Sequence, residues 1–286
     1  MLIKDPSLKF NHVISQDLVL YPFVTEQQLE DMARFKTHPG DVFLLSYPKT
    51  GTFWLAEIVY NLAHPQGPTE DTPRIHTIPL LEYIPYEQVE TYPSTRYVKT
   101  HYPYEMIPKN PEQNLKYIYI SRNPRDVLVS LYHHMCGALE YEWTGTWDEL
   151  FGYFLAGKVP FGCFFDHVLP WWKERNNDNV LFIKFEDLKK DLKSGVRQVA
   201  EFLGFEISEA ELESVAQNCT FEAMKARPET NLDQYPEHFK PGTSFLRKGI
   251  VGDWKNYFSE EQLQAFDQWY NSHIQGSDLK FEFTIE

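Results

Sequence analysis

The chain has 286 residues, 42% of them hydrophobic and 24% charged, a balance that excludes wholesale disorder and can build a sizeable core. Asp plus Glu number 41 against 27 Lys plus Arg, a formal net charge of −14, which argues against nucleic acid or an anionic polymer as partner. The three cysteines, Cys136, Cys163 and Cys219, show no metal-knuckle or redox spacing and read as free, mostly buried thiols of a reducing compartment. No signal-peptide core opens the chain, and no apolar run approaches the ~20 residues that span a bilayer. The expectation is a cytoplasmic protein without a membrane partner.

In chain order, Asp41–Tyr47 (DVFLLSY) is a short apolar run that suits a buried strand. Pro48-Lys49-Thr50-Gly51 is a turn. From Thr52 to His64, Trp54, Leu55, Ile58, Val59 and Leu62 recur at helical steps. Arg96-Tyr97-Val98 is a strand candidate running into Lys99-Thr100-His101. Leu115–Ser121 (LKYIYIS) reads as a strand, followed by a helix from the Arg122-Asn123-Pro124 turn. Val180–Phe185 is a further strand. Helices are expected near Ser194–Leu203, Ser208–Gln217 and Ser259–His273. No repeat or linker divides the chain, so residues 1–286 read as one domain. Strands alternating with helices predict an α/β fold with a mainly parallel central sheet flanked by helices. Ligands on such sheets sit at the carboxyl ends of the strands, where the loops after Tyr47, Val98 and Ser121 fall.

Tyr47–Trp54 carries the chemistry of a phosphate cradle. Glycine lets the backbone approach a ligand, the helix N-terminus favours an anion, and Lys49 adds a positive charge. The unit is P-loop-like, yet the lysine precedes the glycine, so it is not the Walker order GxxxxGK[ST]. From these residues alone, a phosphate site and an ordinary α/β turn are about equally supported.

Five ordered blocks resemble the cytosolic sulfotransferase family. SYPKTGTFW is similar to the family's 5′-phosphosulfate loop, commonly YPKSGTTW. KTHYP resembles its catalytic KTHLP, and SRNPRDVLVSLYHH its 3′-phosphate segment. Residues 145–162 resemble its mid-chain helix pair, and FLRKGIVGDWKNYF its C-terminal RKGxxGDWK segment. The resemblance spans nearly the whole chain. It implies transfer of a sulfonate group from 3′-phosphoadenosine 5′-phosphosulfate (PAPS) to a small acceptor, leaving adenosine 3′,5′-bisphosphate (PAP), with no metal.

Sulfonate transfer needs a base for the acceptor and cations for the leaving oxygen. His101 is the expected base, its ordinary pKa lying near working pH. Lys49 would neutralise the leaving oxygen, and Lys99, two residues before His101, would face the same side of an extended segment. By resemblance, Arg122 and Ser130 bind the 3′-phosphate, completed by Phe245, Leu246, Arg247, Lys248 and Gly249. Thr50, Gly51, Thr52 and Phe53 would surround the 5′ end. Trp54 would stack on adenine, with Phe185, Cys219, Phe221 and Met224 nearby. Ser130 is also counted with the catalytic set.

Three departures each remove a hydroxyl from the donor site. Phe53 stands where the family has a second threonine, Phe185 replaces a tyrosine, and Cys219 a threonine. Each lost hydrogen bond would cost ~0.5–1.5 kcal/mol of donor binding. The family's dimer motif, KxxxTVxxxE, falls on Lys255, Ser259, Glu260 and Gln264 and keeps only its lysine, so a homodimer through it is doubtful. The resemblance implies acceptor walls at Tyr21–Phe23, Pro79–Leu81, Tyr102 and Met135–Tyr141, with Phe23, Leu80, Tyr102 and Tyr141 in contact. These are apolar or aromatic, as a phenol, sterol-like alcohol or aryl amine requires. Two alternatives stand beside the active enzyme. One is a nucleotide-binding relative with little turnover; the other is a P-loop nucleoside kinase, for which no clear Walker lysine or magnesium site is present.

Overall fold

The computed structural model describes residues 1–64, 77–234 and 237–285. Its centre is a four-stranded sheet whose pairings are all parallel. Numbering along the chain, the sheet strands are β3 (Val42–Leu45), β4 (Tyr97–Thr100), β5 (Lys116–Ser121) and β6 (Val180–Lys184), in the spatial order β4-β3-β5-β6. They follow a small antiparallel hairpin of β1 (Val13–Ser15) and β2 (Leu18–Leu20).

The sheet is covered on both faces because its strands alternate between two apolar sets. Phe43 and Leu45 of β3, with Tyr117 and Tyr119 of β5, join one core; Val42, Leu44, Ile118 and Ile120 join the other. The second core is closed by α2 (Thr52–Ala63), α7 (Leu192–Leu203) and α8 (Glu209–Asn218). The first is closed by α3 (Pro124–Gly137), α4 (Trp147–Leu155), α5 (Phe164–Lys173) and α10 (Glu260–Ile274). Further helices are α1 (Glu26–Ala33), α6 (Phe185–Lys190) and α9 (Phe221–Ala226), with a single helical turn at Tyr86–Val89. At the amino ends of the strands, Arg96 is buried and grips Asp41 with two hydrogen bonds of 3.0 and 2.6 Å.

The expected strands and helices occur within a few residues of their anticipated bounds. Two local expectations are corrected. Residues 145–162 hold one helix, α4, and the second starts only at Phe164, because a turn at Gly157 and Gly162 (φ +67° and +74°) breaks the chain between them. Phe185 does not extend its strand but opens α6, so its ring leaves the sheet.

Candidate active site

The loops after β3, β4 and β5 meet at the carboxyl end of the sheet and bound a cavity of about 330 Å³. The β3–α2 loop is shaped by backbone conformations rare for side-chain-bearing residues. Lys49 adopts φ +69° and Gly51 φ +121°. A Cβ on Gly51 would come within 2.9 Å of Ile120 Cδ1 and 3.2 Å of Phe185 Cδ2, so glycine is required there. Thr50 closes the loop: its hydroxyl donates toward the carbonyls of Tyr47 (2.8 Å) and Ile120 (2.9 Å). The N-cap of α2 is Gly51, which offers no side chain, so the first amides of this twelve-residue helix keep their hydrogen-bonding capacity for an anion.

His101 follows the end of β4 and its ring lines the cavity. Its Nδ1 lies 2.8 Å from the Ser46 carbonyl, which can only accept, so Nδ1 carries the proton. Nε2 therefore carries the lone pair and has no partner among the described residues. Burial drives the imidazole pKa down to about 3, against the upward pull of the Ser46 bond, and His167, Lys49 and Lys99 push it the same way as burial. The ring is neutral at working pH.

The backbone of His101 is held from two sides. Its amide and the Thr100 hydroxyl (2.8 Å) both donate to Oε1 of Glu82. Its carbonyl accepts from Nε2 of His167 at 2.8 Å, whose Nδ1 accepts from the Tyr119 hydroxyl, also at 2.8 Å. Glu82 is fully buried, and burial raises its carboxyl to about 7.

Lys49 also lines the cavity. Burial and the nearby Arg122 bring its ammonium down to about 7, and its Nζ lies 4.5 Å from the centre of the Phe245 ring. Phe245 packs edge-on against Phe53 at 4.7 Å, and Lys99 Nζ lies 4.6 Å over the Phe53 ring. Lys99 itself is wholly buried, donates to the Ile78 carbonyl at 2.5 Å and does not line the cavity. Where the family's threonine would be small, the Phe53 ring occupies the cavity wall and the Lys99 ammonium packs against it. Burial takes that ammonium to about 7 as well.

Arg122, before α3, is buried, stacks 4.3 Å over the Phe185 ring and donates to the Ile250 carbonyl at 2.7 Å. Its Nε is buried without a partner. The Ser130 hydroxyl has none among the described residues either, and both side chains line the cavity. Phe185 thus exchanges the family's hydroxyl for a platform under Arg122. Arg247 and Lys248 converge on Asp253, at 2.5 and 2.7 Å; burial opposes its charge, but these bonds hold its carboxyl at about 2. The segment is pinned to α3 by Asp126, which accepts from the amides of Gly252 (2.7 Å) and Trp254 (3.0 Å). Gly249, at φ +62°, packs so closely on Phe221 that a Cβ would stand 2.4 Å from its ring.

The cavity thus brings together Phe23, Lys49, Gly51, Thr52, Phe53, Trp54, Leu80, His101, Arg122, Ser130, Tyr141, Phe185, Phe221, Met224 and Phe245 to Gly249. Four expected residues lie outside its lining: Thr50, Lys99, Tyr102 and Cys219. The Thr50 hydroxyl is consumed in closing the loop. Tyr102 follows His101 and so turns to the opposite side, where it is buried against Phe161 at 6.0 Å. The Cys219 side chain is buried, and its contribution is its carbonyl, which accepts from Trp54 Nε1 at 2.7 Å and fixes that ring. Sequence reasoning missed Ser46, Glu82 and His167 behind His101, and Tyr83, His134 and the 237–239 segment on the cavity wall, while Glu140 falls in the expected Met135–Tyr141 wall. His134 lay inside a segment already singled out; residues 237–239 carry no periodicity that could have flagged them.

Among the described residues no helix is long and apolar enough to cross a membrane. Residues 39–278 match the sulfotransferase domain family. The chain is 37% identical over 278 residues to mouse sulfotransferase 1B1, covering 91% of this chain and 92% of that protein. Among solved structures it is similar to mouse sulfotransferase SULT7A1 complexed with PAP, at 33% identity and a TM-score of 0.78, covering 92% of this chain and 94% of that one. It is also similar to retinol dehydratase in a complex with retinol and PAP, at 25% identity and a TM-score of 0.85, covering 96% and 92%. With the domain matched over most of its length and a relative 37% identical across nearly all of both chains, the chain belongs to the sulfotransferase family.

Proposed function

We propose that this protein is a cytosolic, single-domain sulfotransferase that uses PAPS as donor and sulfonates a hydroxyl or amine of a small, largely apolar acceptor. One observation carries the reading: a neutral His101, its tautomer fixed by Ser46, presents the Nε2 lone pair to the cavity that also holds Lys49 and the uncapped start of α2. The cavity fits a bis-anionic nucleotide. Lys49, Thr52 and the α2 amides suit its 5′ end; Arg122, Ser130, Arg247 and Lys248 suit a 3′-phosphate, for which the unpartnered Arg122 Nε and Ser130 hydroxyl are ready. Trp54, Phe221 and Met224 suit the adenine.

In the reaction, His101 Nε2 takes the acceptor proton as the acceptor oxygen bonds to sulfur and the bond from sulfur to the phosphate oxygen breaks. Lys49 meets the negative charge left on that oxygen. A bound anion draws the Lys49 pKa upward from about 7, so the lysine is charged when the donor is in place. Lys99, packed against Phe53, acts through Phe53 and through its field. Retinol and androsterone occupy solved relatives alongside PAP, which supports an acceptor compartment beside His101 of similarly apolar character.

The recessed position of Lys99 favours the second reading, a nucleotide binder with little turnover. Transfer of labelled sulfonate from PAPS to a panel of phenols, alcohols and amines separates the two. Transfer supports the enzyme; PAP binding with no transfer to any panel member supports the binder; failure to bind PAP overturns both.

A further inference from the structure

The end of the cavity suited to adenine is built to stack. Trp54 is fixed by its bond to the Cys219 carbonyl at 2.7 Å, and the Phe185 ring stands edge-on to it at 5.0 Å. Phe221 and Met224 add apolar surface. Such walls hold any planar base, because every base has a π-face. Choosing among bases takes hydrogen bonds to the base edge. Phe185 has no hydroxyl to give one, and the Cys219 side chain does not reach the cavity.

Lys189 can make such a bond. It lies four positions after Phe185 on α6, so the two side chains share a face. It is half-buried and lines the cavity, with its Nζ 5.9 Å from the centre of the Trp54 ring. Its ammonium forms no ion pair and no hydrogen bond with another described residue. Lys190, beside it in the chain, is paired with Glu282 and does not line the cavity. The cations suited to the 3′-phosphate also have partners: Arg122 donates to the Ile250 carbonyl, and Arg247 and Lys248 to Asp253. Lys189 thus brings three unspent donors to the ring that would carry the base. An ammonium can only donate, so its partner on adenine is a ring nitrogen with a lone pair: N1, N3 or N7.

Building on the proposed use of PAPS, we infer that Lys189 binds the donor by hydrogen-bonding a ring nitrogen of adenine, supplying the edge contact that Phe185 and Cys219 do not. The base is then held on its face by Trp54 and on its edge by Lys189.

The test is Lys189→Met, which keeps an unbranched, helix-compatible side chain and removes its donors. Calorimetry with wild type and variant compares PAP, its 1-deaza, 3-deaza and 7-deaza analogues, and the ribose 3,5-bisphosphate without a base; thermal unfolding is the folding control. The variant is expected to bind PAP roughly tenfold more weakly and the base-free bisphosphate within about twofold of wild type. One deaza analogue is expected to show the same roughly tenfold loss with wild type, and to bind the variant as PAP does. An equal loss for PAP and the base-free compound would put the ammonium on a phosphate and overturn the inference, as would unchanged PAP affinity. So would a wild type that binds all three deaza analogues as tightly as PAP. In each of these cases the wild type still binds PAP and the transferase reading stands; a wild type that binds no PAP removes that reading, and this inference with it.

Discussion

Replacing Gly249 by alanine tests whether the C-terminal loop forms one wall of the nucleotide site. Gly249 has φ +62°, and a Cβ there would meet Phe221 Cδ2 at 2.4 Å, Cε2 at 2.8 Å and Cγ at 3.0 Å. The left-handed backbone alone costs an alanine about 1–2 kcal/mol. The ring contact adds to this, because no Cβ approaches an aromatic carbon so closely and Phe221 must swing away or the loop must lift. Gly242 supplies the control: it shares the conformation, at φ +79°, but a Cβ there meets nothing within 4 Å. Both variants therefore carry the backbone strain, and only Gly249→Ala disturbs a cavity residue. If the strain and the contact are relieved by opening the loop, the binding-competent population falls by roughly 5- to 30-fold for 1–2 kcal/mol, and further with the clash. Calorimetric titration with PAP should show at least about a tenfold loss of affinity in Gly249→Ala and a change within about twofold in Gly242→Ala. Equal affinities in the two variants would refute the reasoning, since Phe221 would then not depend on Gly249 or would not touch the nucleotide.

Other expectations follow from single contacts. Arg122→Lys loses both the stack on Phe185 and the planar fork, so PAP affinity should fall by more than about tenfold while affinity for adenosine 5′-phosphate changes little, read by the same titration. Phe53→Leu keeps bulk but removes the face under Lys99; a cation–π contact of about 0.5–2 kcal/mol predicts a kcat roughly 2- to 30-fold lower, with PAP affinity held within about twofold. Stability should decline on acidification. His101 and His167 are depressed from the usual 6.5 to about 3 and about 4, mainly by burial, so their contribution is present above pH 6.5 and is lost as pH falls through those values. Each unit of depression is worth about 1.4 kcal/mol. Glu82, raised by burial to about 7, runs in the opposite sense: its contribution is full below 4.5 and lost as pH rises toward 7. Urea titrations at pH 7, 5.5 and 4 of wild type and His167→Gln check the sign, the variant showing the shallower acid loss.

The sheet was legible because strands buried on both faces read as continuous apolar runs, as β3 does, and α2 because its apolar residues keep helical spacing. The β1–β2 hairpin was not: its strands have three residues each, and its turn uses Gln16 and Asp17 at φ +48° and +65° with no glycine to announce it. At the site, motif order located His101, Lys49, Arg122 and the glycines, since each depends on local backbone geometry. What supports them was hidden. Glu82 reaches His101 from 19 positions away, and His167 from 66, through bonds no local pattern encodes. The two-residue spacing placed Lys99 on the same side as His101, but not behind Phe53, because that outcome depends on a ring contributed by α2. Phe53 and Phe185 read as lost hydroxyls in the sequence; in the fold each faces a cation.

The central claim is that His101 Nε2 takes the acceptor's proton during sulfonate transfer. Its most direct test is His101→Ala, with PAP affinity and labelled sulfonate transfer from PAPS measured on the same preparation. Affinity within about twofold of wild type and transfer reduced by about 10²- to 10⁴-fold is the predicted result; transfer at the wild-type rate would contradict it and remove His101 from the role of base.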